Sequence, residues 1–111
     1  MRKKEVVKIK LILMLKLYWL KKRFSKLGFT LRKETENSLL FEAVKRYPML
    51  PKGGYYHHLL ISANDYGTDV MSYQYIPGSI SNDIPIHINY KELKVCRSAC
   101  RFVNLLRKYR Q

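Results

Sequence analysis

Five residues of this 111-residue chain have side chains that commonly bind zinc. Imidazole nitrogen and thiolate sulfur are the ligands that zinc prefers, and they are supplied by His57, His58, His87, Cys96 and Cys100. Their spacing matches no zinc finger, ribbon or knuckle, and the adjacent His57 and His58 would point to opposite faces of a strand. We therefore predict no metal site and no cofactor, and we expect both cysteines to pack as small hydrophobic residues.

The cysteine pair also bears on the cellular compartment. Cys96 and Cys100 lie four residues apart in a predicted helix, where their Cβ vectors run parallel, a poor geometry for a disulfide. Secreted domains of this size commonly depend on disulfides. The pattern therefore predicts an intracellular, reducing compartment, either the cytoplasm or the mitochondrial matrix.

Acidic residues are too scattered to form a catalytic cluster. The three aspartates lie in or near predicted turns, where Asp bonds its own backbone, and the five glutamates are distributed over other segments. The motif Lys52-Gly53-Gly54 is too short for a phosphate-binding loop and precedes a predicted strand rather than a helix. The sequence therefore predicts a protein that is not an enzyme.

Positive charge is concentrated at the two ends of the chain. Residues 1–33 carry a net charge of +11 and residues 91–111 carry +6, whereas residues 34–90 carry −3. Self-repulsion on this scale weakens a compact state unless an anionic partner neutralises it. With a pI near 10.0, the expected partner is a nucleic-acid backbone, RNA before DNA, and after that an anionic membrane surface.

A row of cations in the last segment is the strongest binding signal. Residues 91–109 predict an amphipathic helix whose polar face has cations at steps of three, four and seven. This face has no acidic residue after Glu92, whereas ordinary solvated helix faces mix both signs. We expect the row to contact phosphates, which fix position without reading sequence. It consists of Lys94, Arg97, Arg101 and Lys108, with Asn104 among them.

A second basic cluster occupies the N-terminal third. Part of this charge compensates a helix dipole and aids solubility, but four cations within residues 21–26 exceed what a dipole needs. Neither basic end carries a motif that reads bases. The candidate nucleic-acid-binding residues are therefore Arg2, Lys3, Lys4, Lys21, Lys22, Arg23, Lys26, Arg32, Lys33, Lys94, Arg97, Arg101, Arg107, Lys108 and Arg110.

Several tyrosines cluster in a predicted hairpin. On an open sheet such rings can stack on unpaired bases. Tyrosines also pack small cores and form hydrogen bonds through the hydroxyl group, and we favour this second role. The residues concerned are Tyr55, Tyr56, Tyr66, Tyr73 and Tyr75.

The elements that position these residues follow from hydrophobic periodicity. A long helix is predicted over residues 3–27, with Gly28 where a C-terminal glycine belongs. Residues 11–20 are apolar nearly all round, so we expect both the domain itself and a partner to contact this helix. A connector or strand follows at residues 29–33, and a second helix is predicted over residues 37–47, ended by Pro48.

The remaining segments complete a small α+β domain. Residues 55–63 and 68–76 predict a hairpin with a turn at residues 64–67, and residues 86–90 predict a third strand. The fold class is therefore α+β, with a three-stranded antiparallel sheet packed by two or three helices. Residues 1–33 form a basic helical extension and residues 34–111 form the domain that ends in the amphipathic helix.

These observations predict a non-catalytic, RNA-binding structural component of a large ribonucleoprotein, of the kind represented by ribosomal proteins, including those of mitochondria. Neighbouring proteins of the assembly are further expected partners. Lys16 interrupts the apolar N-terminal run, which is too short to span a bilayer. One alternative is an accessory subunit of a membrane-bound complex, with the first helix at the lipid boundary. Another is a phage or mobile-element protein that binds a nucleic-acid enzyme, since the lysine-, isoleucine- and tyrosine-rich composition is typical of AT-rich genomes.

Overall fold

The protein is an α+β domain in which two helices pack on one face of a four-stranded sheet. A computed structural model describes residues 3–46, 54–79 and 84–110. The elements are α1 (Lys3–Ser25), β1 (Phe29–Glu34), β2 (Ser38–Arg46), β3 (Gly54–Asn64), β4 (Gly67–Tyr75) and α2 (Tyr90–Arg110). The predicted class, the long N-terminal helix and the amphipathic C-terminal helix are confirmed.

The sheet is an antiparallel meander in the order β1-β2-β3-β4. The prediction of three strands was wrong, because residues 38–46 form β2 and not the predicted helix. Tyr47, at which the predicted helix ends, lies outside the described residues. Leu39, Phe41 and Ala43 are buried at every second position, which is the period of a strand. Strand pairing with β1 and β3 on both sides outweighs the three-and-four spacing that Leu40, Ala43 and Val44 also provide.

The β3–β4 hairpin confirms the predicted turn. Asn64 pairs with Gly67 across the turn, and Asn64 Oδ1 accepts a hydrogen bond from the Tyr66 backbone N–H at 2.8 Å. Gly67 has a φ of 135°, a conformation that favours glycine. The turn therefore follows from its residue types.

The predicted strand at residues 86–90 was wrong. The segment 84–86 instead forms a single bridge, Tyr73 to Pro85, along the outer edge of β4. Two backbone hydrogen bonds hold it there, from Gln74 N to Ile84 O at 2.9 Å and from Ile86 N to Ser72 O at 3.0 Å. Tyr90 already belongs to α2, because Asn89 caps the start of that helix.

The core lies between the helices and the inner face of the sheet. Phe24 of α1 stacks on Phe41 of β2, with ring centroids 3.9 Å apart and planes at 21°. Leu13, Leu20 and Phe24 of α1 share one hydrophobic cluster with residues of the sheet and α2. The N-terminal helix is therefore packed against the rest of the domain.

The chain leaves α1 through a glycine. Leu27 N donates to Phe24 O at 2.9 Å, Gly28 N donates to Ser25 O at 3.0 Å, and Gly28 has a φ of 88°. A residue with a side chain is strained in this left-handed region. This ending turns the chain directly into β1.

Candidate nucleic-acid interface

A capping box starts α2 and fixes its orientation. Asn89 Oδ1 accepts a hydrogen bond from Glu92 N at 2.8 Å, and Glu92 Oε1 accepts one from Asn89 N at 3.1 Å. This reciprocal pair satisfies backbone donors that a helix start leaves open. Glu92 is the only acidic residue of α2. Its side chain is buried and hydrogen-bonded within the cap, so it does not lie on the outer face of the helix.

The outer face of α2 is the predicted row of cations. The apolar face of the helix is buried against the sheet and α1. Because that face is opposite the cations in the helical repeat, the cations are exposed. We call these four residues the α2 ridge: Lys94, Arg97, Arg101 and Lys108.

The ridge continues onto α1 across a groove between the helices. Arg23 Nη1 of α1 donates a hydrogen bond to Ser98 Oγ of α2 at 2.8 Å. Lys16 and Arg23 on one side and Arg101 on the other line a groove of about 260 Å³, with Trp19 among the remaining lining residues. Three cations from two helices therefore border one concave surface.

Lys16 was missed as a candidate by the sequence reasoning. In the sequence it interrupts an apolar run, but Lys16 and Arg23 lie two helical turns apart and so occupy the same face of α1. That seven-residue spacing was the signal available in the sequence.

Two predicted phosphate-binding arginines are engaged by carboxylates of the chain. Arg32 Nε lies 2.9 Å from Glu42 Oε1, and Arg107 Nη2 forms an ion pair with Asp65 of the β3–β4 turn. A neutralised guanidinium has less charge to offer a phosphate. We therefore place Arg32 and Arg107 outside the proposed contact surface.

The other candidate residues lie at several places in the fold. Lys21 and Lys22 are exposed in the last turns of α1, Lys26 is exposed in the turn that follows, and Lys33 is exposed on β1. Arg2 lies outside the described residues, and the side chains of three candidates within the helices are also not described: Lys3, Lys4 and Arg110.

Three of the hairpin tyrosines, Tyr56, Tyr73 and Tyr75, line the sheet face opposite the helices. Tyr66 is exposed in the turn, and Tyr55 alternates with Tyr56 along β3 and so lies on the other face. Tyr56 pairs with Tyr75 and His58 pairs with Tyr73 across β3 and β4, and all four alternate with core residues. His58 stacks on Tyr75 with ring centroids 4.8 Å apart, and its Nε2 lies 2.9 Å from an oxygen of Glu42. The three half-buried tyrosine rings and the buried His58 ring pack on one another on the outer face of the sheet, and not in the core where these tyrosines were expected.

The histidines and cysteines are separated by the fold. His57 is buried, with Nε2 2.6 Å from Ser72 Oγ, and His58 points to the opposite face. Burial lowers the pKa of His57 from its ordinary value of 6.5 and raises the pKa of the Cys96 thiol to about 12. Among residues 3–46, 54–79 and 84–110, no three His, Cys, Asp or Glu side chains are grouped to hold a metal ion.

Comparison of the chain with models of protein families, with curated proteins and with solved structures finds no match.

Proposed function

We propose that this chain binds the phosphate backbone of folded RNA and serves as a non-catalytic structural component of a ribonucleoprotein. The observation that carries the proposal is the α2 ridge, four exposed cations on a helix whose single acidic residue is buried in its own cap. Phosphate contacts of this kind release counterions from the nucleic acid, so the affinity depends steeply on salt.

The shape of the surface supports contact with a backbone rather than with bases. A helix that reads duplex DNA enters the major groove, whereas α2 lies beside α1 and its ridge forms part of a broader surface that includes the groove with Lys16 and Arg23. Such a surface suits the closely spaced phosphates of a folded RNA, which proteins recognise largely by shape. The proposal therefore includes no base-specific contact.

A salt titration of RNA binding tests the proposal. Fluorescence anisotropy with a structured RNA, between about 50 and about 200 mM salt, gives the slope of log affinity against log salt. Four ridge contacts alone predict a slope of about −3 to −4. A slope near zero would overturn the proposal.

Matched variants locate the contact. Neutralising three ridge cations (Lys94→Gln, Arg97→Gln and Arg101→Gln) is expected to reduce the slope by about 2 to 3. Neutralising three exposed cations outside α2 (Lys8→Gln, Lys10→Gln and Lys33→Gln) removes the same net charge and should leave the slope nearly unchanged. Equal losses from both triple variants would show a net-charge effect and would contradict an interface on α2.

A paired substrate tests the assignment to RNA. An RNA hairpin should bind more tightly than a DNA hairpin of the same sequence at the same salt concentration, because the proposed surface recognises the shape of folded RNA. Equal affinity for the two hairpins would refute the preference for RNA.

A further inference from the structure

The outer face of α1 carries a second apolar stripe that the domain does not cover. Val7, Leu11, Met14 and Tyr18 follow one another at steps of four, three and four, so they occupy one helix face. Three further apolar residues lie alongside them. All seven are between 44% and 68% exposed. We call this set the outer stripe, and it consists of Val7, Leu11, Ile12, Met14, Leu15, Tyr18 and Trp19.

The extent of the outer stripe sets it apart from ordinary exposed hydrophobic residues. Single exposed apolar side chains are common on soluble proteins, but contiguous patches mark interaction sites. The outer stripe runs for about 18 Å along the helix axis. The inner stripe of the same helix, including Leu13, Leu20 and Phe24, already packs the core. The outer stripe is therefore free to contact a partner.

The charges around the stripe restrict the identity of that partner. Lys8 lies beside Leu11 and Ile12 on the helix face, and Lys22 lies beyond the C-terminal end of the stripe. Glu5 is the only acidic residue of α1. A second copy placed stripe against stripe would bring like charges together in an apolar contact, which is unfavourable. Charge complementarity therefore requires an apolar surface with an anionic margin.

The aromatic residues at the end of the stripe favour lipid. The rings of Tyr18 and Trp19 lie 5.7 Å apart, edge to face, and Lys22 Nζ lies 4.9 Å from the first ring centroid and 5.4 Å from the second. Tyr and Trp concentrate at the level of lipid headgroups, and a lysine beside them can extend its ammonium group towards phosphates. This cluster matches the headgroup boundary of a bilayer.

We infer that α1 lies in the surface of an anionic lipid bilayer, parallel to the membrane plane, with the outer stripe among the acyl chains and its lysines at the headgroups. No helix within the described part of the chain is long and apolar enough to cross a membrane, which agrees with a surface position. The inner stripe already holds α1 as a helix on the domain, so binding does not incur the cost of helix formation. This inference uses none of the α2 ridge and shares only Trp19 with the groove beside it, and it does not depend on RNA binding.

Vesicle flotation with the full chain tests the inference. Vesicles of phosphatidylcholine with about one third phosphatidylserine should carry the protein upward, whereas vesicles of phosphatidylcholine alone should carry much less. Trp19 is the only tryptophan, so its fluorescence reports on the stripe directly, and its emission should shift to shorter wavelength with the anionic vesicles. Flotation without this shift would overturn the inference, because the contact would then lie elsewhere.

Two double variants of equal chemistry locate the contact. Leu11→Gln with Leu15→Gln should reduce the bound fraction about tenfold or more. Val44→Gln with Met71→Gln removes apolar surface that is also exposed, but on the opposite side of the molecule, and should leave flotation unchanged. Equal loss from both pairs would overturn the inference.

RNA binding without lipid separates this inference from the proposed function. The Leu11/Leu15 pair should retain the RNA affinity and the melting temperature of the parent chain, so that loss of flotation is not a folding defect. If the parent chain fails to float with anionic vesicles while it still binds RNA, the lipid inference falls and the proposed function stands. Such an outcome would assign the outer stripe to a protein groove with an acidic rim.

Discussion

The outer faces of α1 and α2 differ in chemistry although both helices pack on the same face of the sheet. On α2 the face away from the core is a row of cations. On α1 the corresponding face is the outer stripe, with lysines beside and beyond it. The difference shows that net charge alone does not identify a partner, because one cationic helix presents charge to solvent and the other presents hydrophobic side chains.

The largest expected effect concerns the inner face of α1. Phe24→Ala should lower the free energy of unfolding by about 3 to 5 kcal/mol, because it removes a fully buried ring stacked on Phe41. Met14→Ala on the outer stripe should change it by less than about 0.5 kcal/mol. Guanidinium unfolding measures both, and a large effect of Met14→Ala would mean that the stripe is packed within the protein.

The cap of α2 should matter less than the core. Asn89→Ala removes a capping oxygen and releases Glu92 from its hydrogen bond to the backbone. We expect a loss of about 1 kcal/mol in unfolding free energy. Asn104→Ala, on the exposed side of the same helix, is the control and should have almost no effect. Equal losses of unfolding free energy from the two variants would show that the cap makes no specific contribution to the stability of α2.

The buried histidine beneath the helices should make stability depend on pH. Burial lowers the pKa of His57, against an opposing contribution from Glu92, while Lys45 and His58 lower it further. Below pH 6.5, the ordinary pKa of histidine, the unfolded chain therefore binds a proton at His57 that the folded chain does not bind. The contribution of His57 to the free energy of unfolding is fully present above this pH and is lost as the pH falls towards the folded-state pKa.

Two single variants isolate this contribution. His57→Gln should flatten the decrease in unfolding free energy below about pH 6.5, whereas His87→Gln, at an exposed position, should leave the decrease as it is. Denaturant unfolding between pH 5 and pH 7.5 provides the comparison. Parallel profiles for the parent chain and His57→Gln would exclude His57 as the source.

The smallest effect separates two neighbouring cations of α2. Lys108→Gln should reduce the salt slope of RNA binding by about 0.7 to 0.9, the amount expected for one phosphate contact. Arg107→Gln should reduce it less, because Asp65 already neutralises that guanidinium. The reverse order would show that the RNA contacts the side of α2 that faces the β3–β4 turn.

The sequence predicted α1 and α2 well because each has a strong helical period. The inner stripe of α1 and the apolar face of α2 repeat at three and four residues, and Gly28 marks the end of the first. Residues 38–46 satisfy both the helical and the strand period. Pairing with two neighbouring strands decides their structure, and this long-range contact is not visible in local sequence.

The candidate site was predictable in part. The α2 ridge follows from helical spacing once α2 is recognised. The pairing of Arg32 with Glu42 and of Arg107 with Asp65 depends on strand register and on how α2 packs, neither of which the sequence contains explicitly. The groove with Lys16 likewise requires the relative position of two helices that are distant in the chain.

The two borders of the sheet have a consequence for self-association. Segment 84–86 occupies part of the β4 border through backbone hydrogen bonds, and β1 has a register shift between Leu31 and Lys33 in a stretch of charged side chains. Irregularity and charge at an exposed border hinder intermolecular β-pairing, the first step of fibril growth. A chain with this many exposed hydrophobic side chains is thereby directed away from cross-β aggregation and towards contacts made by its helices.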